Sequence, residues 1–295
     1  MLKPQTRLIA GLAVEGIDMI RILSFGGGVD SSSILLMHIN SMAWTGRPHP
    51  KIGPIDRVVF SDTGAESKAT YNNIEQFKQL CDQHSIPFDV VAREGENIFE
   101  WQQRLGNLPV MRQGSHVCSL KFKGEVIQKH IKAQYGDAPV MYIIGIEANE
   151  TRRAGKFTKP KGDVAEYYYP LIQMGWDRND CEDYLAIAYQ DGTLKHKVEK
   201  SSCVFCPFMS KDEIIDMRDN NPEGWAMVRM VEHKFRETSP KRHQAWIDAG
   251  KPLNKGGKAP KGMWSMDSWA EGARLFINKV NGVRLSVDEW ENLKT

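Results

Sequence analysis

Three glycines followed by acidic and hydroxyl side chains, Ser24-Phe25-Gly26-Gly27-Gly28-Val29-Asp30-Ser31-Ser32, are the sharpest chemical feature of the sequence. Glycines at such a turn let the backbone take positive φ and approach a ligand with no Cβ in the way. Successive backbone N–H groups of the turn, with the first amides of a following helix, make a nest for an anion. Ser31 and Ser32 add hydroxyl donors in the first helical turn. The competing account is a capped helix after a tight turn, since Asp and Ser are favoured caps. A second feature is Cys203-Val204-Phe205-Cys206-Pro207, with Cys118 far upstream of it. A Cys-x-x-Cys turn by itself serves as a redox pair, half of a zinc site or half of an iron–sulfur site. Cys81 and Cys181 fall on expected helices and read as buried, inert thiols.

The glycine loop is placed by a β-rich run before it, Met19 to Phe25, and an apolar helical run after it, Ile34 to Met37. A second strand, Asp56 to Ser61, leads through Asp62-Thr63-Gly64 to a helix from Lys68 to His84. Phe88 to Ala92 is a third strand, and Pro139 to Ile146, the most apolar segment, a fourth. Helices are expected over Ile98 to Arg104, Lys121 to Ala133 and Arg178 to Tyr189, with another beginning near Lys211. This alternation predicts βαβ units and an α/β fold: a doubly wound, mostly parallel sheet with helices on both faces. In such a fold ligands bind outside the carboxyl ends of the strands, where the glycine loop lies. That context favours a phosphate site over a bare cap.

From Lys234 to Gly262 the texture changes, with eight Lys and Arg against Glu237 and Asp248. The expected organisation is therefore an α/β domain carrying the cysteines over 1–233 and a basic, helical C-terminal extension over 234–295. Within the extension, Lys234 to Gly262 reads as a basic extension or flexible loop, and Trp264, Trp269 and Trp290 anchor a helical tail. A chain of 295 residues, 41% hydrophobic and 26% charged with net charge +2, has the composition of a globular protein and excludes intrinsic disorder. Its apolar runs fall short of the roughly 20 residues that span a bilayer. Glu15 and Asp18 interrupt the one run resembling a signal peptide, Leu8 to Val14, so a cytoplasmic location is expected. There, an odd five cysteines argue against a disulfide framework.

Gly27-Gly28-Val29-Asp30-Ser31 resembles the PP-loop, Ser-Gly-Gly-x-Asp-Ser, of the ATP pyrophosphatases and the phosphoadenosine phosphosulfate (PAPS) reductase family. Gly26 stands where that pattern has serine. The loop is neither the Gly-x-x-x-x-Gly-Lys-Ser/Thr nor the Gly-x-Gly-x-x-Gly pattern. Ser61-Asp62-Thr63-Gly64, with Thr70-Tyr71, resembles the family's second-strand motif beside the adenosine. Gly145-Ile146-Glu147-Ala148-Asn149-Glu150-Thr151-Arg152-Arg153 resembles its Gly-x-Arg-x-x-Glu-Ser-x-x-Arg stretch, with Glu147 in place of the first arginine. Tyr169-Pro170-Leu171, Trp176 and Tyr184-Leu185 match a later segment, so the resemblance runs from Arg21 to Glu232. It implies an adenine nucleotide alpha hydrolase-like fold and an ATP site of Ser24, Gly26, Gly27, Gly28, Asp30, Ser31, Ser32, Asp62 and Gly145, with Mg²⁺. Catalytic roles fall to Asp30, Ser31 and Arg153. The implied chemistry is attack on the α-phosphate, releasing pyrophosphate and leaving an adenylylated substrate oxygen.

Iron–sulfur members of that family carry a Cys-Cys pair, a comparable gap and then Cys-x-x-Cys; here Val117-Cys118 occupies the paired position. The resemblance thus implies Cys118, Cys203 and Cys206 as ligands of a [4Fe–4S] cluster whose fourth iron stays open to sulfide or a substrate atom. Zinc, with a histidine such as His116 as fourth ligand, is the alternative. No cysteine follows Cys206, so the Glu-Cys-Gly-Leu-His motif of sulfonucleotide reductases is missing and strict PAPS reduction is not expected. The features resemble most the DNA phosphorothioation branch, which implies sulfur insertion into nucleic acid, with DNA favoured over tRNA and a cysteine desulfurase as partner. The basic stretch, with Trp246 and Trp264 for stacking, agrees with a polyanionic partner; a solvated lysine-rich loop is the alternative. Two other readings stay open: adenylation of a tRNA base or small molecule with structural zinc, and a non-catalytic nucleotide- or nucleic-acid-binding subunit.

Overall fold

Side-chain alternation along the strands decides the architecture. The computed structural model describes residues 19–106, 111–112, 115–155, 162, 164–206, 209–251, 279–280, 283–284 and 287–292. In β1 (Ile20–Ser24) Leu23 joins one apolar cluster and Ile22 another, and the following helix, α1 (Val29–Thr45), packs Ile34, Leu35 and Leu36 into the first. β2 (Arg57–Asp62) repeats the alternation with Val58 and Phe60 on the first side and Val59 on the second. Next come α2 (Lys68–Gln83), β3 (Phe88–Ala92) and α3 (Ile98–Leu105). Both faces of these strands are thus apolar, as a sheet buried on two sides requires.

After a short hairpin, β4 (Met111–Arg112) and β5 (Ser115–His116), the chain enters α4 (Val117–Ser119) and a π-helical turn, Leu120–Gly124. α5 (Glu125–Tyr135) follows without a break, so the helix expected from Lys121 starts within the π-helical turn of a longer helical run. β6 (Val140–Ile144) leads through a 3-10 turn, Ala148–Glu150, into α6 (Thr151–Ala154), β7 (Glu166–Tyr168), α7 (Pro170–Met174) and α8 (Arg178–Gln190).

The five-stranded sheet has the order β3-β2-β1-β6-β7 and is parallel, with Leu23 opposite Val58 on one side and Ile143 on the other. Helices α1, α2 and α8 supply residues to the cluster on one face, and Ile127 and Ile131 of α5 to the cluster on the other. The doubly wound α/β fold expected from the sequence is therefore the one observed. Strand order reverses between β1 and β6, which makes their carboxyl ends the topological switch point where such sheets bind ligands.

Two compact units divide the chain. The first is Met1–Ser61, Ala69–Val91 and Gly124–Ser201; the second is Asp62–Lys68, Ala92–Lys123 and Ser202–Thr295. In the second unit α9 (Lys211–Asn220) is followed by α10 (Pro222–Asp248), and further on by β8 (Lys279–Val280), β9 (Val283–Arg284) and α11 (Val287–Glu291). The boundary expected at 233/234 falls inside α10. The stretch read as a basic loop from Lys234 is helical as far as Asp248: it continues the helix that buries Trp225, Val228, Val231 and Phe235 on one face, and Lys and Arg are good helix formers. Most of the expected helical tail, with Trp264 and Trp269, lies outside the described residues. Among the described residues no helix is long and apolar enough to cross a membrane.

Candidate functional site

In the first unit the glycine loop joins the end of β1 to α1 at the switch point. Phe25 ties it to the sheet: its N–H donates to Val59 O at 2.9 Å, and its ring packs against Phe77 and Phe88 with centroids 5.4 and 5.5 Å apart. Gly27 has φ +70, and a Cβ there would meet Ile74 Cδ1 at 2.9 Å, so glycine is required both by conformation and by space. Asn73 Nδ2 donates to Gly27 O at 2.9 Å. Ser31 Oγ accepts the Gly26 N–H at 3.1 Å and donates to Gly28 O at 3.3 Å, bracing the turn from inside. A Cβ on Gly26 would find Ser31 Oγ at 3.8 Å, so the space that a serine needs there is open.

Helix α1 starts from Gly28 with no side-chain cap, so its first amides keep their outward donors. Ser32 Oγ is buried without a hydrogen-bond partner. From the far side of the switch, Gly145 follows β6 and backs directly on the loop: a Cβ there would lie 2.7 Å from Ser31 N and 3.0 Å from the Asp30 carbonyl carbon. The glycine at 145 is therefore a packing requirement of the site.

Charge around the loop is organised by Asp30, on the first turn of α1. Arg178, at the start of α8, places Nη1 2.9 Å from Asp30 Oδ1, and its Nη2 donates to Oδ2 at 3.2 Å. Burial pushes the Asp30 carboxyl up to about 6; Arg178 opposes the shift, Glu150 adds to it, Arg153 opposes it, and Glu147 adds least. Glu147, the departure from the arginine pattern, is buried and accepts the Asn149 N–H at 2.8 Å, capping its own turn. Arg153 pairs with Glu150 at 2.7 Å. Ser24 ends β1. The first unit thus brings together Ser24, Gly26, Gly27, Gly28, Asp30, Ser31, Ser32, Gly145 and, through the charge network, Arg153. Asp62 belongs to the second unit, where its Oδ1 accepts the Gly64 N–H at 2.8 Å.

The second unit holds the three cysteines. Cys203 forms an isolated antiparallel bridge with Glu66, flanked by Ser67 N–H to Ser202 O at 2.7 Å and Val204 N–H to Ala65 O at 2.9 Å. The Cys-x-x-Cys turn closes through the Cys206 N–H to Cys203 O at 3.1 Å. Glu66 is buried; its Oε1 accepts from Thr63 Oγ1 at 2.9 Å, stands 3.1 Å from Lys123 Nζ and 3.8 Å from Cys203 Sγ, while Oε2 is buried without a partner. Burial, and then the Glu66 carboxylate, hold the Cys203 thiol far above its ordinary range despite Lys123. Burial also raises Cys118, against the pull of Ser119 and Lys123. Burial works against the Lys123 ammonium, but Glu66, Cys203 and Cys118 more than offset it and hold its pKa up.

The Lys123 ammonium, paired with Glu66, acts on both Cys118 and Cys203. Among the described residues no three His, Cys, Asp or Glu side chains are gathered to hold a metal ion, and the His116 side chain lies outside the description. Cys81 and Cys181 are buried on α2 and α8, their thiols pushed up to about 12 by burial.

Arg178, Glu66 and Lys123 were not legible as site residues. Arg178 carries one local signal, its place just after the Asp177 capping box; the Glu66–Lys123 pair has none, since two distant segments make it. Of the basic stretch, Lys234 and Lys241 pair with Glu237 at 3.1 and 3.6 Å, and Arg236 pairs with Glu232 and with Asp288.

Fold and loop define a class: a doubly wound α/β protein with a glycine loop and an uncapped helix N-terminus at its switch point. No protein-family model matches the chain. It is 24% identical over 237 residues to the uncharacterized protein MJ0066 of Methanocaldococcus jannaschii, covering 78% of this chain and 44% of that protein. The chain therefore spans less than half the length of that relative. Among solved structures it is similar to a PAPS reductase from Candida auris in a phosphate complex, with 13% identity, 61% of this chain and 80% of that chain covered, and a TM-score of 0.35. It is also similar to the U34-tRNA thiolase NcsA from Methanococcus maripaludis with its [4Fe-4S] cluster, with 15% identity, 76% and 74% covered, and a TM-score of 0.37.

Proposed function

We propose that this chain is an ATP pyrophosphatase of the PP-loop type, which adenylates a substrate oxygen and prepares it for sulfur insertion into nucleic acid, with a DNA phosphate as the favoured acceptor. The observation that carries the nucleotide site is the uncapped α1 N-terminus behind a braced glycine loop, at the point of the sheet where ligands bind. Polyphosphate oxygens accept from the loop and helix amides and from the Ser32 hydroxyl, while Ser31 braces the turn that presents them. Mg²⁺ arriving with ATP would supply counter-charge for the departing pyrophosphate. Asp30 is the carboxylate placed to meet that cation, and Arg153 the nearby arginine carried over from the motif. The acceptor and the cysteine desulfurase partner rest on the sequence resemblance.

Pyrophosphate release from ATP, assayed with candidate DNA and tRNA acceptors, tests this reading. Ser31→Ala is expected to lower release by about 10-fold or more, since it removes the brace that shapes the loop. Full activity in that variant refutes the loop assignment. A second reading, adenylation of another acceptor with purely structural cysteines, is favoured by the contacts that tie Cys203 into the fold: its bridge with Glu66, whose carboxylate pairs with Lys123. Iron, zinc and labile sulfide analysis of anaerobically purified protein separates the two: about four iron and four sulfide per chain would overturn the structural role.

A further inference from the structure

Arg178 occupies a position that the proposed reaction does not yet use. Its backbone is fixed at the head of α8 by a capping box: Asp177 Oδ1 accepts the Asn179 and Asp180 N–H groups at 2.8 and 3.1 Å, and Asp180 Oδ2 accepts the Asp177 N–H at 2.9 Å. From that fixed start the guanidinium reaches Asp30 at the mouth of the glycine loop. Asp30 is only 10% exposed and Arg178 39%, so the cation stands between a buried carboxylate and solvent.

The pairing is incomplete. Asp30 Oδ1, although 2.9 Å from Nη1, accepts no aligned hydrogen bond, and one oxygen of the carboxylate stays open. The other charged groups of the network are committed elsewhere. Arg153 pairs with Glu150 at 2.7 Å, and Glu147 accepts the Asn149 N–H at 2.8 Å. Glu147 also repels an anion where the resembled pattern has arginine. Among the described residues, Arg178 is therefore the guanidinium beside the loop whose partner can be replaced.

A polyphosphate arriving with a divalent cation satisfies both members of the pair. The hard dication is a stronger counter-ion for a carboxylate than a guanidinium is, and a guanidinium grips phosphate through two parallel hydrogen bonds. Exchanging partners leaves no buried charge unpaired in either state, whereas losing one partner alone would. We propose that Arg178 is a phosphate-binding residue of this site, which leaves Asp30 for the polyphosphate when a divalent cation takes the Asp30 carboxylate. The inference rests on reading the glycine loop as a nucleotide site. It adds α8 to the Gly145–Arg153 stretch as a source of the loop's counter-charge.

Calorimetric titration with a non-hydrolysable ATP analogue, inorganic triphosphate and adenosine, each with and without Mg²⁺, tests it. Arg178→Met is expected to weaken the ATP analogue and triphosphate by about 10- to 100-fold while leaving adenosine within about twofold. Arg178→Lys should recover part of the loss. Asp30→Asn should make triphosphate binding independent of Mg²⁺. The Asp30→Asn/Arg178→Met double variant, which leaves no buried charge unpaired, controls for folding through its thermal melt. If the wild type binds triphosphate and Arg178→Met binds it equally well, the role of Arg178 is refuted and the nucleotide site stands. If Arg178→Met loses adenosine as fully as triphosphate, its role is structural and the proposal falls. If the wild type binds neither ATP analogue nor triphosphate, the nucleotide reading itself fails.

Discussion

At the scale of single residues, Asp30 is the group whose titration reports on the site. Its carboxyl sits at about 6 in the folded protein, above its ordinary 3.8, because burial outweighs the Arg178 guanidinium. Below the lower value the group is neutral in both folded and unfolded chains and costs nothing. As pH rises from there to about 6, the folded protein retains a proton that the unfolded chain has released, so stability falls. Above about 6 the loss is complete, on the order of 3 kcal/mol. Urea denaturation of wild type and Asp30→Asn across this range is expected to show the decline in the wild type and its absence in the variant. Parallel curves would refute the burial of a titrating Asp30. Ser31, by contrast, works through geometry: one hydroxyl accepts from Gly26 and donates to Gly28, so the cradle is shaped before a ligand arrives.

At the scale of elements, the site is the meeting of two strand ends. β1 delivers the glycine loop and β6 delivers Gly145, and their pairing, with Ser24 opposite Ile144, sets the two turns side by side. The absence of a side chain at 145 lets α1 start where it does. Gly145→Ala drives a methyl to 2.7 Å from Ser31 N, against backbone that cannot swing aside. That change is expected to cost about 1–3 kcal/mol of stability and to weaken triphosphate binding together with it. A melt and a titration on the same sample check both, and an unchanged variant would show that β6 does not back the loop. Polarity elsewhere follows the same economy: α10 keeps Val228, Val231 and Phe235 inward and pairs its described lysines with Glu237.

For the whole molecule, the consequence is two interleaved units, each with its own apolar core. Segments from three parts of the chain build each unit, so a cut in sequence does not release a domain. Truncation after His233 removes Phe235 from the second core, breaks the pairing of Arg236 with buried Glu232, and removes Thr238, whose hydroxyl donates to Gly106 O at 3.0 Å. The shortened chain is expected to lose stability on the scale of a large core deletion, about 3–5 kcal/mol, visible as a lowered thermal transition and reduced soluble yield. Unchanged melting would show that the stretch beyond 233 is a dispensable extension after all.

Local patterning by itself determined the β1–loop–α1 unit, the strands β2, β3 and β6 to within two residues, and the parallel doubly wound class. These follow from hydrophobic period and turn chemistry, which act between near neighbours in sequence. Periodicity was also present in α10, but the lysines and arginines obscured it. Folding, and no local pattern, brings distant charges into one space. Asp30 with Arg178, and Glu66 with Lys123 and Cys203, come from segments that no local rule couples. Their energies depend on burial and on separations of about 3 to 4 Å, quantities that exist only once the chain has folded.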